Sequence, residues 1–443
     1  MNATPSLARR RSTMVGSVAL LGLSLAASPA SARDELSVDL SARAGVSTNP
    51  FLESGSTPVT GTLTLGIRPS WVNQSELTTL QISGYAEAAF YTRDYGTNGN
   101  VSVQGSGTHR LSERTSLSAS LGYVNTIVGS FNGFGGPIVT VAPVTGTLPT
   151  AGTAPVTGPS LGTVAPTLGA DLPYVITDPS LGRIGRRQRV YLASGELATA
   201  LSERDQLSFS LSSALNRGNG FGNLGVGFGN GDFNTVTPGV SYSRVLGERF
   251  SVGARFTTAF TDYLGTNLGD ATVYQPALTL TRGIGDRWTL TGSLGAAITE
   301  LKGFGGDSRS TVTLNGTADL CRQDERWSAC FNAARQTVPS TFQGVRTQTT
   351  AGASGSYRLN AREDLSFSGS YSHASDPIQS DVIGVRDGSV DFVNASGGYS
   401  RRIGPALFAT ATLSYAKALD NLQQRDANFT ALVGVTYRLG RQR

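Results

Sequence analysis

The sequence predicts an all-β fold, a transmembrane antiparallel up-and-down β-barrel of about 18 strands behind an N-terminal signal peptide. Three observations lead there. Apolar residues alternate with Ser, Thr, Gly and Asn along most of the chain, as in Leu117, Ala119, Leu121, Tyr123 and again in Phe250, Val252, Ala254, Phe256. A period of two gives one apolar and one polar face, and no stretch keeps a 3.6-residue period long enough to compete as an amphipathic helix. The alternating runs are opened by recurrent short polar turns: Leu111-Ser112-Glu113-Arg114, Leu201-Ser202-Glu203-Arg204, Leu246-Gly247-Glu248-Arg249, Ile284-Gly285-Asp286-Arg287 and Leu359-Asn360-Ala361-Arg362-Glu363-Asp364. These turns recur roughly every 40 residues, room for two membrane strands of about ten residues each and one longer loop.

Residues 1–32 read as a secretory signal: Arg9, Arg10 and Arg11, an apolar run from Val15 to Ala27, and Ala30-Ser31-Ala32 as a small-x-small site, cleaved between Ala32 and Arg33. The apolar run is too short for a membrane span, and no later run approaches the length of a transmembrane helix. No cysteine stands at the cleavage site, so a lipid anchor there is not expected. Removing the leader takes away three bases and no acid, so the formal charge falls from +5 to +2 (36 − 3 bases against 31 acids). With two lysines, Lys302 and Lys417, and no basic block after the leader, a nucleic-acid partner is not expected.

In chain order, the first strand is expected at about Leu36 to Val46. Short turns follow near 71–76, 111–114, 201–205, 246–249, 284–287, 322–326, 360–364 and 401–405, and the last strand runs from Asn428 to Leu439. Eight hairpin turns with one strand on either side place both termini on the short-turn side, the periplasm in a bacterial barrel. The other side carries longer loops rich in Gly, Asn and Asp, at Thr92–Asn100, Asn216–Phe233 and Ser375–Gly388. One stretch interrupts the series: about 129–185 is poor in charge and rich in Pro, Thr, Val and Gly. Its prolines exclude it from a sheet interior, so it is either an external loop or a segment that folds into the lumen. The domain plan is therefore a leader, 1–32, and a barrel, 33–443, with this loop.

The two cysteines lie on facing strands. If residues whose numbers sum to 651 oppose each other, Cys321 meets Cys330, Leu320 meets Phe331 and Asp319 meets Asn332, which puts both sulfurs on the polar face within reach of a cross-strand disulfide. A reduced pair and a slipped register are the alternatives. No metal site is expected, because no His, Asp or further Cys clusters around them.

Catalysis finds little support. The chain has two histidines, His109 before a turn and His373 near the outer end of a strand, which this topology puts at opposite ends of the barrel. A Ser-His-acid arrangement can be drawn with His373 and Asp376, but no nucleophile elbow accompanies it. The Gly-rich runs lack the strand-to-helix context of a phosphate cradle. Neither an enzyme nor a cofactor is expected.

Parity assigns the lumen face. Thr60, Thr62, Thr64 and Arg68 point inward on one strand, then Gln81, Ser83, Tyr85, Glu87, Tyr91 and Arg93, then Gln104, Ser106, Thr108 and Arg110. Later strands add Arg255, Ser354, Ser356, Arg358, Asn394, Ser396, Ser400, Arg402, Thr436 and Arg438. Arg68, Arg110, Arg358, Arg402 and Arg438 are expected at or just before a periplasmic turn or terminus. Arginines at a barrel rim simply meet water and lipid headgroups; alternatively they form a basic mouth that draws in an anionic solute past hydroxyls and tyrosines.

The Tyr91-Thr92-Arg93-Asp94-Tyr95-Gly96-Thr97-Asn98 segment and the repeated Leu-Ser-Glu-Arg turns resemble the β-barrel porins encoded with exopolysaccharide gene clusters, including those of gellan-type sphingans. The strand count is similar to that of the alginate exporter. The final strand, with Gly434, Tyr437 and Leu439, resembles the C-terminal signal of outer-membrane barrels, although Leu432 replaces a polar residue and no aromatic residue ends the chain. The resemblance implies a conduit in the outer membrane of a Gram-negative bacterium for secretion of an acidic exopolysaccharide. The partners it implies are outer-membrane lipid, the barrel assembly machinery, the polymer and periplasmic export components. A general diffusion porin for small solutes and a surface or adhesive barrel are the alternatives.

Overall fold

The computed structural model describes residues 33–54, 59–93, 95–128, 186–218, 232–264, 270–302, 308–340, 344–375, 389–420 and 425–440. Residues 1–32, expected as a leader, and the segment 129–185 lie outside the described residues. Alternation becomes 18 strands: β1 (Arg33–Ser47), β2 (Thr60–Gln74), β3 (Thr78–Tyr91), β4 (Thr97–Arg110), β5 (Thr115–Ile127), β6 (Arg187–Ala200), β7 (Asp205–Gly218), β8 (Asp232–Gly247) and β9 (Phe250–Leu264). The second half is β10 (Asp270–Ile284), β11 (Trp288–Lys302), β12 (Ser308–Gln323), β13 (Trp327–Pro339), β14 (Val345–Asn360), β15 (Glu363–Ala374), β16 (Val390–Arg402), β17 (Leu407–Asp420) and β18 (Asn428–Leu439). Each strand pairs antiparallel with its neighbours in sequence, and β1 also pairs with β18, so the sheet closes on itself. Closure removes the free edges that a membrane cannot satisfy.

Several boundaries differ from the sequence expectation by a few residues, two of them near the candidate site. The first turn lies at 75–77 rather than 71–76, because Trp71 and Val72 continue the ladder opposite Leu36 and Glu35. Thr97 to Asn100 belong to β4, which shortens the expected Thr92–Asn100 loop.

The apolar face points outward. Leu121 is 63 % exposed and Leu294 62 % exposed, and Leu211, Leu278, Val312, Leu314, Leu413 and Val433 continue the same belt around the wall. A contiguous apolar surface of this extent is a lipid-facing surface, and the architecture is that of an outer-membrane-type barrel.

The short-turn rim is stitched by one repeated backbone bond. The last residue of every short turn offers its carbonyl to an N–H of the following hairpin: Leu77 to Arg110, Arg114 to Ala200, Arg204 to Val245, Arg249 to Gly283, Arg287 to Gln323, Arg326 to Arg358, Arg362 to Arg402 and Ala406 to Arg438, at 2.7–3.0 Å. Six of these eight acceptors are the arginines of the recurrent turn motif. Their side chains add ionic links between turns, Arg249 to Asp286 at 2.7 Å and Arg287 to Asp324 at 2.8 Å. In the second of these turns, burial pushes the Asp324 carboxyl up, but the Glu325 N–H, Arg287 and Arg322 outweigh it and hold it below the usual carboxylate range.

The long-loop end is built differently. β12 and β13 pair only from Gly316–Arg335 down to Gln323–Ser328, leaving Ser308 to Asn315 without a β13 partner. Above that point β13 passes inside the wall. The Thr337 hydroxyl bonds Thr313 at 2.7 Å and Asn315 at 3.3 Å, both on the inward face of β12, and Gln275 of β10 donates to the Thr337 carbonyl at 3.4 Å. The Tyr263 hydroxyl donates to the Gly344 carbonyl. Val338 and Val345 join Phe233, Tyr263, Val273, Ala297 and Leu301 in a buried apolar cluster. Consequently Val345, Arg346, Thr347 and Gln348 are all buried, where a simple wall strand would alternate.

A second inward segment follows β1. Phe51 packs on Tyr91 and Tyr95 with ring centroids 5.6 and 5.3 Å away. Leu52 is buried against Phe392, Ala416 and Ala418. Its φ of 51° is left-handed, a conformation costing an L-residue about 1–2 kcal/mol, which that burial offsets.

Candidate pore lining and mouth

Inward parity brings Arg68, Glu87 and Arg438 onto one stretch of inner wall, formed by β18, β1, β2 and β3. β1 adds Asp39 and Arg43, which sequence reasoning missed because β1 was read from its apolar residues alone. The signal was present in the opposite parity, Asp39 and Arg43 against Leu40, Ala42 and Ala44. Arg438 grips Asp39 with two bonds, Nε at 2.7 Å and Nη2 at 2.9 Å. Asp39 is opposed on its other side by Arg68, whose guanidinium lies 5.4 Å from the Tyr85 ring centroid. Four residues further along β1, Arg43 is 3 % exposed and pairs with Glu87 at 2.8 Å, and the Tyr85 hydroxyl donates to the same carboxylate. Gly434 makes room for this arginine: a Cβ there would fall 2.5 Å from Arg43 Cγ and 2.2 Å from the Ala42 carbonyl.

The other inward arginines are spread out. Arg68 stands six residues above the end of β2, inside the barrel rather than at its rim, a correction that follows from the shifted first turn. Arg110 ends β4 and Arg402 ends β16, where Arg402 donates to the Gly404 and Pro405 carbonyls at 3.2 and 3.1 Å. Arg358 lies 3.8 Å from Asp364. Arg255 sits half-way round the barrel on β9, opposed by Ser241 and Ala277. Arg93 follows β3 at the long-loop end and so does not belong with the periplasmic arginines. The expected basic mouth is thus partly neutralised by acids of its own wall, Asp39 and Asp364.

Around the rest of the circumference the inner wall is hydroxyl-rich. Cross-strand pairs join Ser120 to Ser194 at 2.8 Å, Ser208 to Ser241 at 2.6 Å, Thr235 to Thr261 at 3.0 Å, Ser293 to Thr317 at 2.8 Å, Ser328 to Ser356 at 2.9 Å and Ser368 to Ser396 at 2.7 Å. The exposed Ser328–Ser356 and Ser368–Ser396 pairs keep lone pairs for a solute, whereas Thr235 and Thr261 are buried. Cys321 and Cys330 are directly opposed on the same inner face and joined by a disulfide.

The histidines sit on the outer face, at opposite ends. His109 Nδ1 is 2.7 Å from the Thr78 hydroxyl. His373 Nδ1 is 2.8 Å from Asp391, which also accepts from Tyr371; Asp376 lies outside the described residues. Ser372 points to the other face of β15; the hydroxyls beside this His–Asp pair are those of Tyr371, which donates to Asp391, and Thr349, opposite His373 in the ladder and bonded by Arg335.

No protein-family model and no curated protein matches the chain. Solved structures do match it across the barrel. OccAB3 of Acinetobacter baumannii is 10 % identical with a TM-score of 0.39, covering 92 % of this chain and 99 % of that one. OccK2 (OpdF) of Pseudomonas aeruginosa in complex with glucuronate is 11 % identical with a TM-score of 0.42, covering 92 % and 98 %. OprD of the same organism is 9 % identical with a TM-score of 0.41, covering 93 % and 96 %. Likeness at this level says nothing of a solute.

Proposed function

We propose that this chain is a pore of the Gram-negative outer membrane for small, polyhydroxylated, acid-bearing solutes. The observation that carries this is the inner wall: cross-strand hydroxyl pairs around most of the circumference and one arginine-bearing stripe on β18–β3. Sugar hydroxyls exchange hydrogen bonds with serine and threonine at little net cost, and the guanidinium groups favour a carboxylate over a neutral isostere. The inward segments at the long-loop end favour small solutes over a permanently open conduit. In a liposome swelling assay, a uronate should enter faster than the neutral hexose of the same size. Replacing Arg68 and Arg110 by Glu should reverse that order while leaving assembly intact. Equal rates for both sugars in both proteins would refute the anionic preference.

A second reading is passage of an acidic exopolysaccharide, favoured by the half-buried rings of Tyr91 and Tyr95 at the mouth, which pack on the buried Phe51 and offer their free edges to sugar rings. It requires the β13–β14 hairpin to leave the lumen during transport. A gene deletion that leaves extracellular polysaccharide yield and chain length at wild-type values excludes it.

A further inference from the structure

The outer face of β5–β7 changes character in steps toward its extracellular end. Leu121, Ala193 and Ser213 form one row. Tyr123, Tyr191 and Leu215 form the next, the two rings 5.1 Å apart. Above them stand Asn125, Arg189 and Arg217, and above those Arg187. Arg189 and Arg217 are exposed and directly opposed across the ladder, where like charges are destabilising. Arg187 lies flat across β5, its Nη1 donating to the Gly99 carbonyl at 2.8 Å and to Asn125 Oδ1 at 3.1 Å, so its charge is held beside the pair. The one acid beside them in β8 is Asp232, which accepts from the Gly218 N–H at 2.7 Å.

Among the described residues, no other outward stretch at this end brings three arginines together; Arg335 stands alone on β13 and donates to Thr349. Asp262 faces Asp270, Glu300 and Lys302 share β11, and His373 pairs with Asp391. The arginine cluster is therefore a local feature and not a general basic girdle.

We propose that this face is a docking site for the phosphate-bearing headgroup of an outer-leaflet glycolipid, clamped between Arg189 and Arg217 with Arg187 alongside. A dianionic phosphate converts the repulsion of the opposed guanidiniums into paired charge-assisted hydrogen bonds. The Tyr123–Tyr191 pair sits one row lower, where the headgroup meets the acyl chains, the depth that aromatic side chains prefer in a membrane. The site rests on the membrane-spanning fold and not on the identity of the transported solute.

The test is native mass spectrometry of the full-chain barrel with bisphosphorylated lipid A and with the same lipid dephosphorylated. Wild type should retain the phosphorylated form selectively. Arg189→Gln/Arg217→Gln should weaken retention about tenfold, and Arg189→Lys/Arg217→Lys should weaken it less, while Lys302→Gln/Lys417→Gln should match wild type. Heat-modifiability reports assembly; if the double Gln variant fails it, Arg217→Gln alone is read, with an expected loss of about threefold. The proposal is overturned if the Gln variants bind like wild type, if the dephosphorylated lipid binds equally, or if the Lys302/Lys417 control loses as much. Displacement of the lipid by millimolar inorganic phosphate would also overturn it, marking a small-ion site instead.

Discussion

At the periplasmic end, eight consecutive turns pass a backbone carbonyl to the next hairpin in the same geometry, and the wall finishes as a uniform rim. At the extracellular end, the β12–β13 ladder stops at Gly316–Arg335 and the β13–β14 hairpin turns inside, fixed by side chains that differ at every contact. The rim is made of one bond repeated between adjacent hairpins. The mouth is made of contacts between strands that are not neighbours in the sheet, such as Tyr263 of β9 with Gly344 just before β14. One end is a repeat and the other a packing solution, and they should respond to different substitutions.

The largest expected effect breaks what both ends share. Leu294→Arg places a charge in the lipid-facing belt, at a cost of about 2–4 kcal/mol near mid-membrane, and should abolish the heat-modifiable form; Ser356→Arg on the inner face should assemble. Equal tolerance at both positions would contradict the assigned faces. Next, Val345→Asp puts an unpaired carboxylate into the hairpin cluster and should raise single-channel conductance in a barrel that still assembles. Tyr263→Phe, losing one hydrogen bond of about 1 kcal/mol, should produce only more frequent openings. Unchanged conductance in Val345→Asp would mean that the hairpin does not limit flow.

Smaller effects sharpen the rim side of the comparison. Replacing Cys321 and Cys330 by Ser should cost less than the usual range of about 2–4 kcal/mol, because the closed loop is short and the ladder already restrains it; urea unfolding with and without reductant measures this. Arg249→Ala should cost at most about 1 kcal/mol, since both partners of the Arg249–Asp286 pair are exposed and the Arg249 carbonyl keeps its bond to Gly283. The depressed Asp324 carboxyl stabilises the fold above its unfolded pKa, and that contribution is lost as pH falls through the lower folded value. Asp324→Asn should remove this acid dependence without changing stability differences among neutral pH values.

The rim was readable from sequence because its information is local. Turn spacing alone sets eight hairpins, and the alternation on either side of Arg322–Arg326 sets the Cys321–Cys330 register to the residue. The mouth was not readable for the complementary reason. Val345-Arg346-Thr347-Gln348 alternates like any wall strand, and only its burial on both sides reveals the tuck. Arg346, fully buried, shows no sequence trace of its environment. Arg68 is expected at the rim because the first turn is expected near 71–76, whereas the wall carries Pro69 outward and continues to Gln74. The external aromatics Trp288 and Trp327 flanking Arg322 likewise emerge only once three neighbouring strands are aligned.

The disulfide has a mechanical meaning once the half-paired seam is in view. Cys321–Cys330 lies five rungs below Gly316–Arg335, the point where β12 and β13 part. A tear that starts at the open end of the seam and runs downward meets a covalent rivet before it reaches the turn. On this edge the hairpin is therefore held no further up than the rungs between Gly316 and Cys321, while on its other edge the β14–β15 ladder continues to Gln348–Ala374.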